Sequence, residues 1–325
     1  DAASRWVISP LMIRVRERNS RSAIWLDRAA AGRSEGSGYS IALLVVVVRE
    51  AESYPAPASC RKRWPRLSPP GATAYVFAMV SLAPLDAHLR TLGRVLLGYS
   101  GGVDSALLAL AGRRALGRDG LLAVIGRSPS YPEVQYQAAL ATARTFDIPL
   151  LEVDTHELED ERYRANPTNR CYFCKTELWR VLGRVAAGHG ADTIIDGTNA
   201  DDLGEHRPGL RAAGEHQIRS PLAELGWTKA MVRSAAESLG LPTWDAPAAP
   251  CLASRIQYGL EVTPDRLRQV EQAEALLRAR GVVGDLRVRH RGAHASVELA
   301  PAEQARVAAQ WEELRRDLEA VGFAS

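Results

Sequence analysis

The stretch RVLLGYSGGVDSALLAL, residues 94–110, decides the fold of this chain. An apolar run that ends at Tyr99 is typical of a buried strand, and the Ala/Leu-rich run from Asp104 is typical of a helix. The turn between them contains two successive glycines, Gly101 and Gly102, which allow backbone N–H groups to point inward around an anion. The following helix adds unpaired N–H groups and its positive dipole end. The stretch therefore predicts a phosphate-binding loop between a strand and a helix.

The side chains of the same turn indicate what accompanies the phosphate. The hydroxyls of Ser100 and Ser105 can donate hydrogen bonds to phosphate oxygens. Asp104 suits a phosphate site only if it binds Mg²⁺, which takes carboxylate and phosphate oxygens together. The sequence lacks the GxxxxGK[ST] pattern of a Walker-type loop, so another class of phosphate loop is indicated. We predict ligand contacts from five residues of this turn: Ser100, Gly101, Gly102, Val103 and Ser105.

Strands and helices alternate along the chain beyond this loop. Apolar runs predict strands at 121–126, 150–154 and 193–196, with helices at 132–146 and 171–187 between them. This alternation predicts an α/β fold with a doubly wound parallel sheet. In such a sheet, ligands bind beyond the carboxyl ends of the strands, which is where the glycine-rich turn falls.

A second block, DGTNADD at residues 196–202, follows the fourth predicted strand. Because the carboxyl ends of parallel strands meet at one edge of a sheet, we expect this acidic turn beside the phosphate loop. Its expected ligand contacts are Gly197, Asn199 and Asp201. Asp201 and Asp202 taken alone would also suit a solvated helix cap.

The pattern changes after Pro242. A Pro/Ala-rich loop at 243–259 precedes an amphipathic helix at 264–280, paired strands at 285–290 and 295–299, and a final helix at 301–321. We therefore predict a small α+β domain over residues 246–325, after a nucleotide-binding α/β domain over residues 79–245.

Residues 1–78 lack regular periodicity and carry the excess of positive charge. They hold 12 basic and 6 acidic residues, against 29 and 32 in the rest of the chain, so the body has no nucleic-acid signature. The longest apolar run, Ile41–Val48, is far shorter than the roughly 20 residues of a membrane span. We predict a non-native or disordered leader with the true start at Met79, no membrane partner and, from the sparse cysteines, a cytoplasmic location.

Three of the four cysteines lie in the body of the chain. Cys171 and Cys174 form Cys-x-x-Cys, and Cys251 follows 77 residues later. A structural zinc site would need a fourth ligand such as His189 or His206. A thioredoxin-like redox pair would be expected after a strand, whereas this one follows a loop. A three-thiolate iron–sulfur site with one open iron position is the third alternative.

The SGGVDS and DGTNADD strings resemble two blocks of the PP-loop ATP pyrophosphatases, whose fold is of the adenine nucleotide alpha hydrolase type. This resemblance implies that the two turns bind ATP and Mg²⁺. It also implies cleavage of ATP between the α and β phosphates and adenylation of a substrate oxygen, followed by displacement of AMP by a nucleophile.

Seven blocks between about residues 90 and 300 together resemble the LarE family of sulfur transferases: LLGYSGGVDSALLA, NRCYFCKTEL, DGTNADD, HRPGLRAA, SPLAELGWTK, PCLASRI and LRVRHRG. The resemblance implies adenylation of the carboxylates of pyridinium-3,5-dicarboxylic acid mononucleotide and their conversion to thiocarboxylates for a nickel-pincer cofactor. One form of the family sacrifices the sulfur of a single cysteine. The other holds a [4Fe-4S] cluster on three cysteines, matching Cys171, Cys174 and Cys251. Because all three are present, we predict the cluster form, with Cys251 as the catalytic cysteine.

The same resemblance implies further contacts. Anion contacts to the small nucleotide substrate are expected from four arginines: Arg207, Arg255, Arg287 and Arg289. Arg287 and Arg289 are two residues apart on a predicted strand and therefore lie on the same face, so both guanidinium groups can bind one anion. Glu298 is expected to contact metal or substrate, whereas Trp227 and Tyr258 are expected to pack. The resemblance also implies a hexamer, a sulfide donor and a nickel-insertion partner. The family continues with another strand beyond Ser325, which suggests a truncated second domain.

Three alternatives remain open. A PP-loop tRNA thiolation enzyme would carry a basic RNA-binding surface, which the acidic body does not indicate. An ammonia-using amidating ligase would leave the cysteines without a role. A non-catalytic adenine-nucleotide-binding protein with a structural metal would bind ATP without releasing pyrophosphate.

Overall fold

The computed structural model describes residues 11–13, 24–26, 42–46, 75–204 and 208–324. The chain divides into two compact units, Asp1–Ser81 and Leu82–Ser325. In the first unit, Leu11–Ile13 pairs antiparallel with Ile24–Leu26, and Ala42–Val46 pairs antiparallel with Tyr75–Met79. Most of the predicted leader lies outside the described residues, and its origin stays a prediction, as do the domain boundaries. Within the described part of the chain, no helix is both long and apolar enough to cross a membrane.

Four parallel strands form the central sheet of the second unit: β1 (Val95–Gly98), β2 (Leu121–Arg127), β3 (Leu150–Asp154) and β4 (Thr193–Ile195). Their spatial order is β3-β2-β1-β4, with all neighbours parallel. The order therefore reverses at β1, and a crevice is expected between the carboxyl ends of β1 and β4. The predicted doubly wound sheet is confirmed, and the two predicted ligand turns leave these two strands.

Eleven helices accompany the described strands of this unit. They are α1 (Ala83–Arg90), α2 (Val103–Leu116), α3 (Glu133–Thr145), α4 (Glu161–Arg164), α5 (Arg170–His189), α6 (Pro208–Glu215), α7 (Pro221–Glu224), α8 (Lys229–Ser238), α9 (Pro264–Ala279), α10 (Pro301–Ala309) and α11 (Trp311–Val321).

Helix α5 covers one face of the sheet. Its Trp179 and Leu182 pack against Leu96 of β1 and Val124 of β2. Each fully buried side chain of this size contributes about 1.5–3 kcal/mol of transfer free energy. A Cβ atom at Gly98 would lie 2.9 Å from the Trp179 ring, so only glycine lets α5 approach the end of β1 this closely.

The C-terminal α+β part contains helix α9 and the antiparallel strands β5 (Leu286–Arg291) and β6 (His294–Leu299). Leu277, Val288, Leu314 and Leu318 form its buried core with their neighbours. Side chains of β5 alternate between buried and partly exposed positions, as the sequence predicts.

The prediction of one final helix over 301–321 is wrong. Helix α10 ends at Ala309 and α11 begins at Trp311, because the backbone of Gln310 between them (φ −113°, ψ 14°) leaves the helical region. Val307 and Leu314 both reach the same core from opposite sides of this break. Their spacing of seven residues would also suit an unbroken helix, so the apolar pattern carries no sign of the break.

Glu224, at the end of α7, connects three segments of the second unit. Its carboxylate accepts hydrogen bonds of 2.7 Å from two nitrogens of Arg219 and one of 3.1 Å from the Ser220 backbone. His88 Nε2 of α1 lies 2.7 Å from the same carboxylate. The Arg219 hydrogen bond, opposed by burial and helped by His88, lowers the pKa of Glu224 to about 2.

Replacing Glu224 with Gln is expected to lower the free energy of unfolding by about 1–2 kcal/mol at pH 7, a value discounted for solvent screening because the side chain is 29% exposed. A depressed carboxyl pKa stabilises the fold above the unfolded value near 4.3 and loses that contribution as pH falls toward about 2. The difference between wild type and variant should therefore shrink over this window. Urea unfolding at pH 7 and pH 3 measures it. Glu159→Gln, at a side chain 80% exposed, is the control, and an equal effect of both variants at pH 7 would contradict the assignment.

Candidate active site

The glycine-rich turn after β1 adopts the conformation that its sequence predicts. Gly101 has φ +67°, and a Cβ atom there would lie 2.4 Å from the Ala139 Cβ of α3, so the position requires glycine. The Ser100 backbone N and hydroxyl each lie 3.2 Å from Ser105 Oγ, which closes the turn. Tyr131 donates its hydroxyl to the Ser100 carbonyl at 2.8 Å. Burial raises the pKa of Tyr131 to about 12, so this hydroxyl remains a donor at neutral pH.

Asp104, in the first turn of α2, connects the glycine-rich turn with the acidic turn at residues 196–202. Its Oδ1 accepts a hydrogen bond of 3.0 Å from Asn199 Nδ2, and its Oδ2 forms an ion pair with Lys229 Nζ. Asp201 N–H donates to Asn199 Oδ1 at 3.0 Å, and Asp201 Oδ2 accepts from the Lys229 backbone at 2.8 Å. A Cβ atom at Gly197 would lie 2.9 Å from the Ser105 backbone nitrogen. The structure therefore brings the predicted residues of both turns together.

Lys229 is the residue of this group that sequence reasoning missed. It begins α8, within the SPLAELGWTK block. A signal was present, because the whole sequence contains only three lysines against 38 arginines. The carboxylate of Asp104, beside a turn suited to phosphate, has the oxygen donors that Mg²⁺ prefers, so the residues fit that cation.

The three predicted cysteines lie in one region of the second unit. Cys171 and Cys174 are the second and fifth residues of α5, and Cys251 precedes the 3₁₀ turn Leu252–Arg255. Cys171 is exposed, whereas Cys174 and Cys251 are partly buried against the same apolar cluster as Tyr163. Burial raises the pKa of Cys174, and neighbouring Glu157 and Cys251 raise it further.

Cys251 lies close to two guanidinium groups. Burial raises its pKa, and the positive charges of Arg170 and Arg255 oppose that shift. Three thiols are the right kind of donor for an iron–sulfur site. Over the described ranges, however, no group of three or more His, Cys, Asp or Glu side chains is arranged to hold a metal ion. The cluster stays a prediction.

Asn166 fixes the Cys251 loop against the start of α5. It is fully buried at φ +54°, and its Nδ2 donates to the carbonyls of Gln257 at 2.8 Å and Leu260 at 2.9 Å, with Ile256 O at 3.3 Å. Arg170, itself buried, donates to Asn166 Oδ1. Asn166 thus joins the two cysteine-bearing segments, although no sequence motif marked it.

Replacing Asn166 with Ala is expected to lower the free energy of unfolding by about 2–4 kcal/mol, because buried carbonyls lose their donor and Ala is strained at positive φ. The loosened loop should also expose Cys251 to faster alkylation by iodoacetamide. Denaturant unfolding and mass spectrometry measure the two effects. Asn169→Ala is the matched control, since that side chain makes no capping hydrogen bond. Equal stability and equal alkylation in the two variants would contradict the role of Asn166.

One dipeptide, Ser130–Tyr131, contacts both halves of the site. Tyr131 binds Ser100 of the phosphate loop, and the Ser130 carbonyl accepts a hydrogen bond of 2.8 Å from Leu252 N, the residue after Cys251. The Ser130 hydroxyl also lies 2.7 Å from the hydroxyl of Tyr163. Adjacent Cα atoms are only about 3.8 Å apart. The phosphate loop and the Cys251 loop are therefore joined through a single short segment.

The predicted arginine contacts have different surroundings. Arg289 forms an ion pair of 2.9 Å with Glu298 and donates to the Ser254 carbonyl at 2.9 Å, and the Arg289 hydrogen bond lowers the pKa of Glu298. Arg287 lies opposite Glu298 in the strand register. The roles of these three in substrate or metal binding remain predictions.

Arg255 is buried beneath the loop that carries Cys251. Its guanidinium contacts Glu274 at 3.0 Å and donates to the Pro250 carbonyl. Arg255 thereby orients this loop, and its contact with substrate remains a prediction.

The remaining predicted residues have three different outcomes. Arg207 and His206 lie outside the described residues. Trp227 packs as predicted, being 1% exposed. The packing prediction for Tyr258 is wrong, because this side chain is 59% exposed.

Similar proteins are known for most of this chain. Residues 86–168, which include the phosphate loop, match the NAD synthase family model. A protein of Lactiplantibacillus plantarum, named pyridinium-3,5-bisthiocarboxylic acid mononucleotide synthase, is 32% identical over 241 residues, which cover 74% of this chain and 87% of that protein. This chain belongs to the LarE family.

Two further proteins are similar to this chain at different levels of identity. The uncharacterized protein slr1717 of Synechocystis sp. is 45% identical over 220 residues, 68% of this chain and 81% of its own length. A glutamine-hydrolyzing GMP synthase component of Archaeoglobus fulgidus is 25% identical over 228 residues, 60% of this chain and 74% of its own length. The NAD synthase model matches the region around the phosphate loop, whereas the LarE relative extends over most of the chain.

Proposed function

We propose that this chain is an ATP-dependent sulfur transferase that converts the carboxylates of pyridinium-3,5-dicarboxylic acid mononucleotide into thiocarboxylates. One observation carries the proposal: Ser130–Tyr131 contacts both the phosphate loop and the Cys251 loop. A site of this kind suits two successive reactions on one substrate group, activation by a nucleotide and attack by sulfur.

The first reaction forms an acyl-adenylate. A substrate carboxylate oxygen attacks the α phosphorus of ATP, and the bond to the β-phosphate oxygen breaks, which releases pyrophosphate. The loop N–H groups and the hydroxyls of Ser100 and Ser105 bind the phosphate oxygens. Asp104 would hold Mg²⁺, which supplies charge neutralisation for the phosphates when bound. Arg287 and Arg289 are proposed to bind the phosphate and second carboxylate of the substrate.

The second reaction transfers sulfur. Cys251 is proposed as the sulfur-bearing residue: a sulfur at this position attacks the acyl carbon, and the bond to AMP breaks with its electron pair leaving on the AMP oxygen. If the Cys251 sulfur itself is transferred, removal of the Cys251 Cα proton and cleavage of its Cβ–S bond yield the thiocarboxylate and dehydroalanine. The other proposed source is sulfide delivered at a [4Fe-4S] site on Cys171, Cys174 and Cys251.

Chemical analysis separates these two sources. Iron and acid-labile sulfide in anaerobically purified chain, lost in Cys171→Ser, would support the cluster. A chain mass lower by one H₂S after turnover, located at residue 251, would support sacrifice of Cys251. We also propose that the chain forms a hexamer in the cytoplasm. Its proposed partners are a sulfide donor and a nickel-insertion protein.

The proposed function is tested by incubating the full chain with ATP, Mg²⁺ and pyridinium-3,5-dicarboxylic acid mononucleotide. We expect pyrophosphate and AMP to appear only with substrate, and the substrate to exchange oxygen for sulfur in its mass spectrum. Two separate controls replace the substrate, one with nicotinic acid mononucleotide and the other with tRNA. Nucleotide binding without substrate-dependent pyrophosphate release would refute the proposal and favour the non-catalytic alternative, whereas release with tRNA would favour the thiolation alternative.

A further inference from the structure

Lys229 has a position that the proposed reaction does not yet use. Its ammonium group forms an ion pair with Oδ2 of Asp104, while Asn199 binds Oδ1. Both carboxylate oxygens of Asp104 are therefore engaged by protein groups. Mg²⁺ requires direct contact with such an oxygen, so it competes with the ammonium group for the same carboxylate.

The backbone of Lys229 is fixed, but its ammonium group is not enclosed. Its backbone N–H donates to Asp201 Oδ2 at 2.8 Å, and Thr228 caps the start of α8 through Met231 N at 3.3 Å. The Lys229 side chain is 38% exposed and that of Asp104 is 20% exposed, so the ion pair lies at the surface of the crevice. The four-carbon stem can therefore carry the ammonium group away from Asp104 while the helix stays in place.

The choice of lysine at this position is informative. The sequence uses 38 arginines and three lysines, so arginine is the usual cation of this chain. Arginine binds a carboxylate through a fixed two-pronged fork, whereas lysine is a compact point charge that rotates freely and exchanges partners. A cation that must leave its carboxylate during each reaction is better supplied by lysine than by arginine.

We propose that Lys229 is an exchangeable cation of the nucleotide site. It neutralises Asp104 before the nucleotide arrives, and it moves to phosphate oxygens of ATP or pyrophosphate when a divalent cation takes the carboxylate. The divalent cation thus replaces the Lys229 ammonium group as the partner of the Asp104 carboxylate. The ammonium group then neutralises part of the negative charge of the polyphosphate. This inference rests on the proposed function only in assigning a polyphosphate and a divalent cation to the loop.

The exchange is tested by calorimetry on the full chain without substrate, which measures the binding of Mn²⁺ alone and the binding of inorganic pyrophosphate to the chain saturated with Mn²⁺. In Lys229→Met, we expect Mn²⁺ to bind about tenfold more tightly, because a competing unit charge has been removed. Pyrophosphate should bind about tenfold more weakly in the same variant, because it loses a cationic partner. Lys175→Met is the matched control, because this substitution removes the same charge at a different place. The Lys175 ammonium group lies 4.9 Å from the centre of the Trp179 ring.

Two further variants make the outcome decisive. Asp104→Asn should abolish the gain in Mn²⁺ affinity when combined with Lys229→Met. Lys229→Arg keeps the positive charge but binds the carboxylate through two guanidinium nitrogens, so it should weaken Mn²⁺ binding. This variant provides the test if Lys229→Met does not fold. Unchanged Mn²⁺ and pyrophosphate affinities in the folded Lys229 variants would overturn the proposal. Failure of the wild type to release pyrophosphate with substrate would instead overturn the proposed function, because neither binding measurement depends on substrate.

Discussion

Replacing Asp104 with Asn is expected to lower the rate of substrate-dependent pyrophosphate release by about a hundredfold to a thousandfold, the scale of losing one preorganised electrostatic group at a reaction site. The amide keeps the size of the side chain and an oxygen that can accept the Asn199 hydrogen bond. It loses the negative charge that pairs with Lys229 and that would hold Mg²⁺. The variant should therefore fold normally but fail to adenylate. Exchange of labelled pyrophosphate into ATP measures the rate.

Asp86→Asn is the control for this variant. Asp86 pairs with Arg114 through hydrogen bonds of 2.7 and 2.8 Å on α1 and α2, away from the phosphate loop. It loses the same charge and should leave the exchange rate within about twofold, since a surface ion pair contributes little. An Asp104 variant that exchanges pyrophosphate at the wild-type rate would remove Asp104 from the adenylation step.

Replacing Cys251 with Ser should abolish thiocarboxylate formation while leaving pyrophosphate release within about threefold of wild type, because a serine hydroxyl lacks the sulfur to be transferred. Cys251 lies in the loop that Arg255 and Ser130 hold through the backbone, and the phosphate loop does not depend on its side chain. ATP should then be consumed without sulfur product as the acyl-adenylate hydrolyses. Pyrophosphate assay and product mass spectrometry on the same reaction measure the two steps.

Cys171→Ser and Cys174→Ser complete this comparison. If sulfide is delivered on three cysteines, both variants should lose product as completely as Cys251→Ser. If the Cys251 sulfur is sacrificed, both should still yield one sulfur per chain. Product formation by Cys251→Ser at the wild-type rate would show that the sulfur does not pass through residue 251.

The sequence was most informative where structure is local. The strand, the glycine pair and the helix of residues 94–110 were predictable because a turn of this kind needs positive φ at Gly101 and close approach to Ala139. The proximity of Asp104 to Asn199 followed from the rule that parallel strands end at one edge. Both inferences use periodicity and topology, which a single sequence displays.

Contacts that join distant segments were not predictable in the same way. Lys229 and Asp104 are 125 positions apart, and Asn166 is more than 90 positions from the carbonyls of Gln257 and Leu260 that it binds. Neither residue belongs to a local motif with an obvious chemical role. The spacing of the cysteines left three kinds of site open, and only the resemblance of whole blocks to a family favoured one of them.

Helix α5 limits where residues can be inserted into or deleted from this chain. Cys174 is its fifth residue, and Trp179, five residues later, packs against Gly98 at the end of β1. Five helical residues span about 7.5 Å, so the helix works as a fixed spacer between the cysteines and the central sheet. One residue inserted between Cys174 and Trp179 would turn the cysteines by about 100° around the helix axis and lengthen the spacer by about 1.5 Å. Insertions and deletions should therefore not be tolerated in this interval, whatever residues fill it.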